Sequence, residues 1–155
     1  MTVDFSSLPD ISDEHPELGP EERWYAAHVK ARELALEAVF GATEPPDTVL
    51  APEDEEVARA WPGGGFHRYA PRGERTSWLY VTHGLSQPFE ERDVQALKED
   101  PDALSGLGLE YVLASAEDAA WPLELLLGLV RQVLLDDAAT LLEPGRLRAC
   151  HSPIG

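Results

Sequence analysis

Two side chains that could do hydrolytic chemistry lie three residues apart in THGLSQP, residues 82–88. In such a site His83 would act as the general base and Ser86 as the nucleophile. The nucleophile elbow of hydrolases has the pattern G-x-S-x-G on a strand–turn–helix corner, and this segment lacks the glycine that follows the serine. We therefore interpret Ser86 as a turn or cap residue, and a hydrolase that uses His83 and Ser86 is the alternative function.

The five histidines and the one cysteine do not have the spacing of metal ligands. No two histidines form an H-x-x-x-H or H-x-H pair, since they stand at positions 15, 28, 67, 83 and 151. Cys150 excludes an internal disulfide and any zinc site built from several cysteines of one chain. It neighbours His151, but adjacent side chains do not face each other productively in regular structure. The sequence therefore predicts no metal, no cofactor and no catalytic residues.

Two glycine-rich segments are candidates for phosphate binding. A dinucleotide fingerprint is G-x-G-x-x-G after a strand and at the start of a helix. In SGLGLEYVLAS, residues 105–115, Gly106 and Gly108 instead precede a predicted strand, and Tyr111 stands where the third glycine belongs. WPGGGF, residues 61–66, lacks the lysine and the serine or threonine of a phosphate loop. We therefore predict that the first segment starts a strand and that the second is a turn or a flexible loop.

The net charge of −17, from 29 acidic and 12 basic residues, restricts the class of partner. Such a charge repels nucleic-acid phosphates and anionic lipid head groups, so neither nucleic acid nor a membrane surface is an expected partner. A basic protein partner is favoured, and solubility alone is the alternative explanation for the charge. The N-terminus lacks the residue order of a signal peptide, and no apolar run reaches about 20 residues. The sequence therefore predicts a soluble cytoplasmic protein.

Helices and strands are predicted to form one α/β domain over residues 20–155, after an irregular acidic arm over residues 1–19. The connection 86–105 is longer than about 12 residues, which is typical of a functional or disordered loop. The predicted elements are a helix over 20–40 that carries His28 as a half-buried packing residue, a short helix after Pro52, a strand over 77–84, a strand over 107–114 and a helix over 120–135.

Three segments, in this order, resemble the suppressor of fused domain: WLYVTHGLS at 78–86, SGLGLEYVLAS at 105–115 and WPLELLLGLVRQVL at 121–134. Family members carry an aromatic strand that ends in Y-x-T/S-x-G-L-S, then S-G-x-G-x-E, then W-P-x-E-L-x-x-x-L on a helix. The resemblance extends over residues 78–155 and includes HSPI at 151–154. It implies a mixed α/β fold, with a mixed β-sheet covered by helices, and a domain that binds proteins and is not an enzyme.

The resemblance also implies how such a domain works. Animal members sequester Gli-type transcription factors by adding a peptide of the partner as an extra strand, which main-chain hydrogen bonds make physically favourable. Bacterial members are proposed to be immunity proteins that neutralise toxins. For this chain we therefore expect non-enzymatic sequestration of a protein partner, with toxin immunity as the favoured setting. A structural module in a larger assembly is a further alternative.

Two partner-contacting positions carry over from the family motifs. The aromatic residue three positions after G-L-S is Phe89, where animal members have tyrosine, and the acid three positions before S-G-x-G is Asp102. The alternatives are an aromatic ring folded back onto the core for Phe89 and a solvated acid for Asp102. Family domains continue with more strands after the HSP segment, whereas this sequence ends at Gly155. Either the sequence is short of the full chain or the later strands are lost, and in the second case we expect the sheet to have an uncovered edge.

Overall fold

A computed structural model describes residues 8–11, 13–46, 48–88, 91–100, 103 and 105–136 of the chain. Within them, four helices and three strands follow one another. The elements are α1 (Pro20–Phe40), α2 (Glu55–Ala60), β1 (Gly65–Tyr69), β2 (Trp78–His83), α3 (Glu91–Glu99), β3 (Val112–Ser115) and α4 (Trp121–Leu134).

The three strands form one antiparallel sheet in the order β1-β2-β3. His67 of β1 pairs with Val81 of β2, and Tyr80 of β2 pairs with Leu113 of β3. The predicted mixed α/β class is therefore confirmed, with antiparallel pairing between all the described strands. Because β2 is the central strand, its side chains are buried on both faces of the sheet.

One face of the sheet is covered by α2 and α4. Phe66 of β1 and Tyr80 of β2 form a buried cluster with Val57 of α2 and with Leu126 and Val130 of α4. The apolar face of α4 is thus the surface that this helix buries, and such burial is the main source of stability for an amphipathic helix.

The opposite face of the sheet is covered by α1. Leu36 and Phe40 of this helix pack against a second cluster, which consists of Tyr69, Leu79 and Val81. Tyr80 of β2 belongs to the first cluster, and Leu79 and Val81 belong to the second, because successive side chains of a strand point to opposite faces.

One carboxylate, that of Asp54, caps α2 and forms a salt bridge to α4. Asp54 caps α2 by accepting hydrogen bonds from the backbone N–H groups of Glu56 and Val57. The other carboxylate oxygen of Asp54 accepts from Nη1 of Arg131 on α4 at 2.7 Å. The side chain of Asp54 therefore stabilises the first turn of α2 and links this helix to α4.

Three predicted boundaries were wrong. The segment after WPG is not a loop throughout, because Gly65 begins β1, a strand that the sequence analysis missed. The connection 86–105 contains α3 (Glu91–Glu99). The strand predicted from 107 begins only at Val112, because Gly106 and Gly108 have positive φ angles of 56° and 72° and make residues 105–108 a turn.

Candidate functional site

Phe89 and Asp102, the predicted partner-contacting residues, both lie outside the described residues. Cys150 and the HSPI segment do as well. Their proposed roles therefore stay predictions. The candidate site consists of described residues around the ends of β2 and along the edge of β3.

The carboxylate of Glu110 holds the end of β2 and the turn that follows it. Its oxygens accept from the hydroxyl of Thr82 at 2.6 Å and from that of Ser86 at 2.8 Å. They also accept from the backbone N–H groups of Gly84, at 3.0 Å, and Ser86, at 2.9 Å. Thr82 in turn accepts from the N–H of Tyr111 at 2.8 Å. One side chain thus orders both THGLS and the turn before β3.

Ser105 adds a second connection between the same two segments. Its hydroxyl donates to the carbonyl oxygen of Ser86 at 2.6 Å and accepts from Nη2 of Arg32 on α1 at 2.8 Å. The N–H of Leu107 donates to the carbonyl oxygen of Leu85 at 2.7 Å. The residues of the two motifs in 78–86 and 105–115 therefore form one hydrogen-bonded network, and their role in the fold is structural.

The side chains of His83 and Ser86 bond to different partners. Ser86 donates to Glu110, a carboxylate, while the ring of His83 lies on the α1 face of the sheet and contacts His67. Among the described contacts, no hydrogen bond joins the His83 ring to the Ser86 hydroxyl. The arrangement that a serine nucleophile needs is not formed here.

His67 and His83 form a buried imidazole pair. They lie on adjacent strands and are 4% and 6% exposed, with 2.9 Å between Nε2 of His67 and Nδ1 of His83. Nδ1 of His67 lies 3.3 Å from the carbonyl oxygen of Thr48. A carbonyl only accepts, so Nδ1 of His67 carries the proton and Nε2 is the acceptor for the N–H of His83.

Burial keeps both rings of this pair neutral. Desolvation lowers the pKa of His67, partly opposed by its hydrogen bond to Thr48. Desolvation, with smaller contributions from His67 and Arg32, lowers the pKa of His83 to about 4. In the tautomers assigned above, Nε2 of His83 keeps its lone pair. The pair is therefore a set of Lewis bases at neutral pH.

Glu33 of α1 faces the histidine pair. One ligand atom from each of Glu33, His67 and His83 lies within 4.8 Å of the other two. No metal site was predicted from the sequence, because His67 and His83 are 16 residues apart and have no local ligand spacing. The signal that could have revealed the pair is the β1–β2 hairpin itself, whose register places both side chains on one face.

His28 is more buried than the sequence analysis predicted. It is 3% exposed, and its ring centroid lies 4.2 Å from that of Trp24 one turn earlier on α1. Desolvation, with a smaller contribution from Arg32, lowers its pKa to about 4. The predicted packing role of His28 agrees with this environment.

The outer edge of β3 is the remaining candidate surface. The N–H of Thr82 donates to the carbonyl oxygen of Tyr111 at 3.0 Å, so Tyr111, Leu113 and Ser115 bond to β2. Val112 and Ala114, which alternate with them, therefore direct their N–H and C=O groups away from the sheet. No other described strand pairs with β3 on that side.

The opposite edge of the sheet differs from that of β3, because a loop covers it. The N–H and C=O groups of Phe66 both bond to Leu50, at distances of 2.9 and 2.8 Å. The carbonyl oxygen of Arg68 accepts from the N–H of Glu44 at 2.7 Å. Glu44 and Leu50 thus take the place of a neighbouring strand along β1. Among the described strands, β3 alone has an open edge.

Comparison of the chain with protein-family models, with curated proteins and with solved structures gives no significant match. Membership of the suppressor of fused family therefore stays a prediction. Within the part of the chain that the structure describes, no helix has the length and hydropathy needed to cross a bilayer.

Proposed function

We propose that this chain is a non-enzymatic binding domain that sequesters a protein partner by adding an extended segment of that partner to β3. The observation that carries this proposal is the outer edge of β3, which no other described strand covers and where Val112 and Ala114 direct main-chain donors and acceptors outward. Edge strands with unpaired main-chain groups are templates for pairing with another chain. The resemblance to the suppressor of fused domain supports the same mode of binding.

The side chains along this edge suit an incoming strand. Val112 is 52% exposed, and Ala114 is exposed on the same face of the sheet. On that face α1 covers Tyr69, Leu79 and Val81 of the first two strands. An apolar residue of the partner strand would cover Val112, and the small Ala114 leaves room for a larger neighbour.

The charge of the chain indicates a basic partner. Four of the described cations have acidic partners: Lys30 pairs with Glu14 at 2.6 Å and Arg68 with Asp118 at 3.1 Å, and Lys98 and Arg131 pair with other acids. Acidic residues outnumber basic residues by 29 to 12, which gives the net charge of −17. This charge attracts a basic segment and opposes edge-to-edge pairing of two copies of the chain. A basic toxin that this chain neutralises is the biological setting that we favour.

The enzymatic alternative has less support. The hydroxyl of Ser86 donates to Glu110, and His83 contacts His67, so the two groups that would form a nucleophile and its base are directed to other partners. The same contacts explain these residues as parts of the fold.

Replacing Ala114 with proline is expected to weaken partner binding at least about tenfold without unfolding the chain. The N–H of Ala114 points away from β2, so proline removes no hydrogen bond of the sheet, and Leu113 before it is already extended. On the outer side, proline removes a donor that the partner strand needs. Ala114→Ser is the matched control, because it keeps the N–H and a small side chain.

The measurement is affinity capture from the native cell lysate at low and high salt, followed by titration of the captured protein with each variant. We expect a stoichiometric basic partner that the wild type and Ala114→Ser bind, that Ala114→Pro loses, and that high salt releases. Equal binding by Ala114→Pro would show that the interface lies elsewhere. Binding that is unaffected by salt would contradict the basic partner.

A further inference from the structure

We propose that Glu33, His67 and His83 form a binding site for one divalent transition-metal ion. Two imidazoles and one carboxylate are a ligand set that Zn²⁺ and related first-row ions accept, whereas Ca²⁺ and Mg²⁺ prefer sites made of oxygen atoms. This inference is independent of the β3 edge, because the three side chains belong to α1, β1 and β2 and none belongs to β3.

The distance between the two imidazole nitrogens is close to that of a metal site. Zn²⁺ binds imidazole nitrogen at about 2.0–2.1 Å, which places two nitrogens of a tetrahedral site about 3.3 Å apart. Nε2 of His67 and Nδ1 of His83 are 2.9 Å apart, and an oxygen of Glu33 lies within 4.8 Å of the ligand atoms of both rings. Small rotations of side chains that already converge would admit the ion between the two rings, and the proton on Nδ1 of His83 would move to Nε2 of the same ring.

The surroundings of the pair hold the ligands in place. His67 donates from Nδ1 to the carbonyl oxygen of Thr48, which fixes the ring so that the lone pair of Nε2 points toward His83. Metal-binding histidines in proteins usually donate their second ring nitrogen to such a carbonyl or to a carboxylate. The strands β1 and β2 hold the backbones of the two histidines, and α1 holds that of Glu33.

A cavity beside the cluster supplies access and room for further ligands. Its volume is about 90 Å³, which is enough for water molecules to complete the coordination of the ion. The cavity is lined by Glu33, Glu37, Ala42, Thr43, Val49, His67 and Tyr69. Glu37, Ala42 and Val49 are exposed, so the cavity reaches the surface of the protein. Glu37 adds a second negative charge near the entrance, one helical turn from Glu33.

The experiment is a titration of the full chain, freed of metal with a chelator, first with Zn²⁺ by calorimetry and then with Co²⁺ by visible absorption. We expect saturable binding of one Zn²⁺ per chain and Co²⁺ absorption bands typical of four or five ligands. The Glu33→Gln variant is expected to weaken Zn²⁺ binding at least about tenfold. Glu37→Gln is the matched control on the same helix and cavity, and its affinity should change less than about threefold.

The location of the ion can be read from the imidazole ¹⁵N resonances of the histidines. In the wild type, one equivalent of Zn²⁺ is expected to shift the ring nitrogens of both His67 and His83. Absence of saturable binding would overturn the site, as would equal losses in Glu33→Gln and Glu37→Gln. Zn²⁺-induced shifts confined to other histidines would also overturn it. This last readout remains decisive even if a variant folds poorly, since it uses only the wild-type chain.

Discussion

Replacing Glu110 with alanine is expected to lower the free energy of unfolding by about 3–5 kcal/mol. The carboxylate accepts four hydrogen bonds, from two backbone N–H groups and from the hydroxyls of Thr82 and Ser86. A hydrogen bond to a charged group contributes about 1.5–3 kcal/mol, and a buried donor left without a partner loses its solvation as well. The losses are not additive, since all four donors share one acceptor group. Urea unfolding followed by tryptophan fluorescence measures the change.

Two further variants show whether the loss of stability comes from the hydrogen bonds of Glu110 or from the removal of a negative charge. Glu110→Gln keeps one acceptor oxygen but turns an NH₂ group toward donors, so we expect about half the loss of the alanine variant. Glu117→Ala removes an exposed acid a few residues away and should change the free energy of unfolding by less than about 0.5 kcal/mol. Similar results for Glu110→Ala and Glu117→Ala would contradict the role assigned to Glu110.

Replacing Gly64 with alanine is expected to destabilise the chain by about 3 kcal/mol or more. A Cβ atom at this position would overlap the indole ring of Trp61. That ring is 1% exposed and belongs to the larger buried cluster, where Phe66 packs edge-on at a centroid distance of 5.7 Å. A close-packed ring has no free direction in which to move, so the added methyl group must displace either the core or the start of β1.

Gly63 provides the matched control for this prediction. It has a positive φ of 72°, and a Cβ atom there would meet no atom within 4 Å. Asparagine tolerates this backbone conformation better than other residues, so Gly63→Asn should cost about 1 kcal/mol or less. Thermal unfolding of the two variants compares them directly. A loss for Gly63→Asn equal to that for Gly64→Ala would indicate a requirement for loop flexibility instead of a close approach to Trp61.

The elements that the sequence predicted well are those whose signals are local. Pro20 and Gly41 mark the ends of α1, and the spacing of leucine and valine marks the buried stripe of α4. The strand GFHRY was missed because glycine, histidine and arginine are weak strand signals. It is a strand because β2 and Leu50 satisfy its main-chain groups on both sides. Helix α3 was missed because charged residues dominate its sequence.

The candidate sites depend on contacts that no local pattern encodes. Glu110 meets Ser86 across 24 residues, and His83 meets His67 across 16, through the register of the sheet. The resemblance to a longer domain predicted an uncovered edge if the later strands are lost, and did not say which strand forms it. No other described strand pairs with the outer side of β3, whereas Phe89 and Asp102, the predicted contact residues, lie outside the described part of the chain.

Amide hydrogen exchange at β3 tests the proposed binding mode most directly. In the free chain we expect the amides of Val112 and Ala114 to exchange rapidly, while that of Leu113, which bonds to β2, is protected. When the captured partner is added, the amides of Val112 and Ala114 should become protected by about 100-fold or more, because a new strand accepts their hydrogen bonds. Protection of both amides already in the free chain, or no change at them in a saturated complex, would contradict strand addition at this edge.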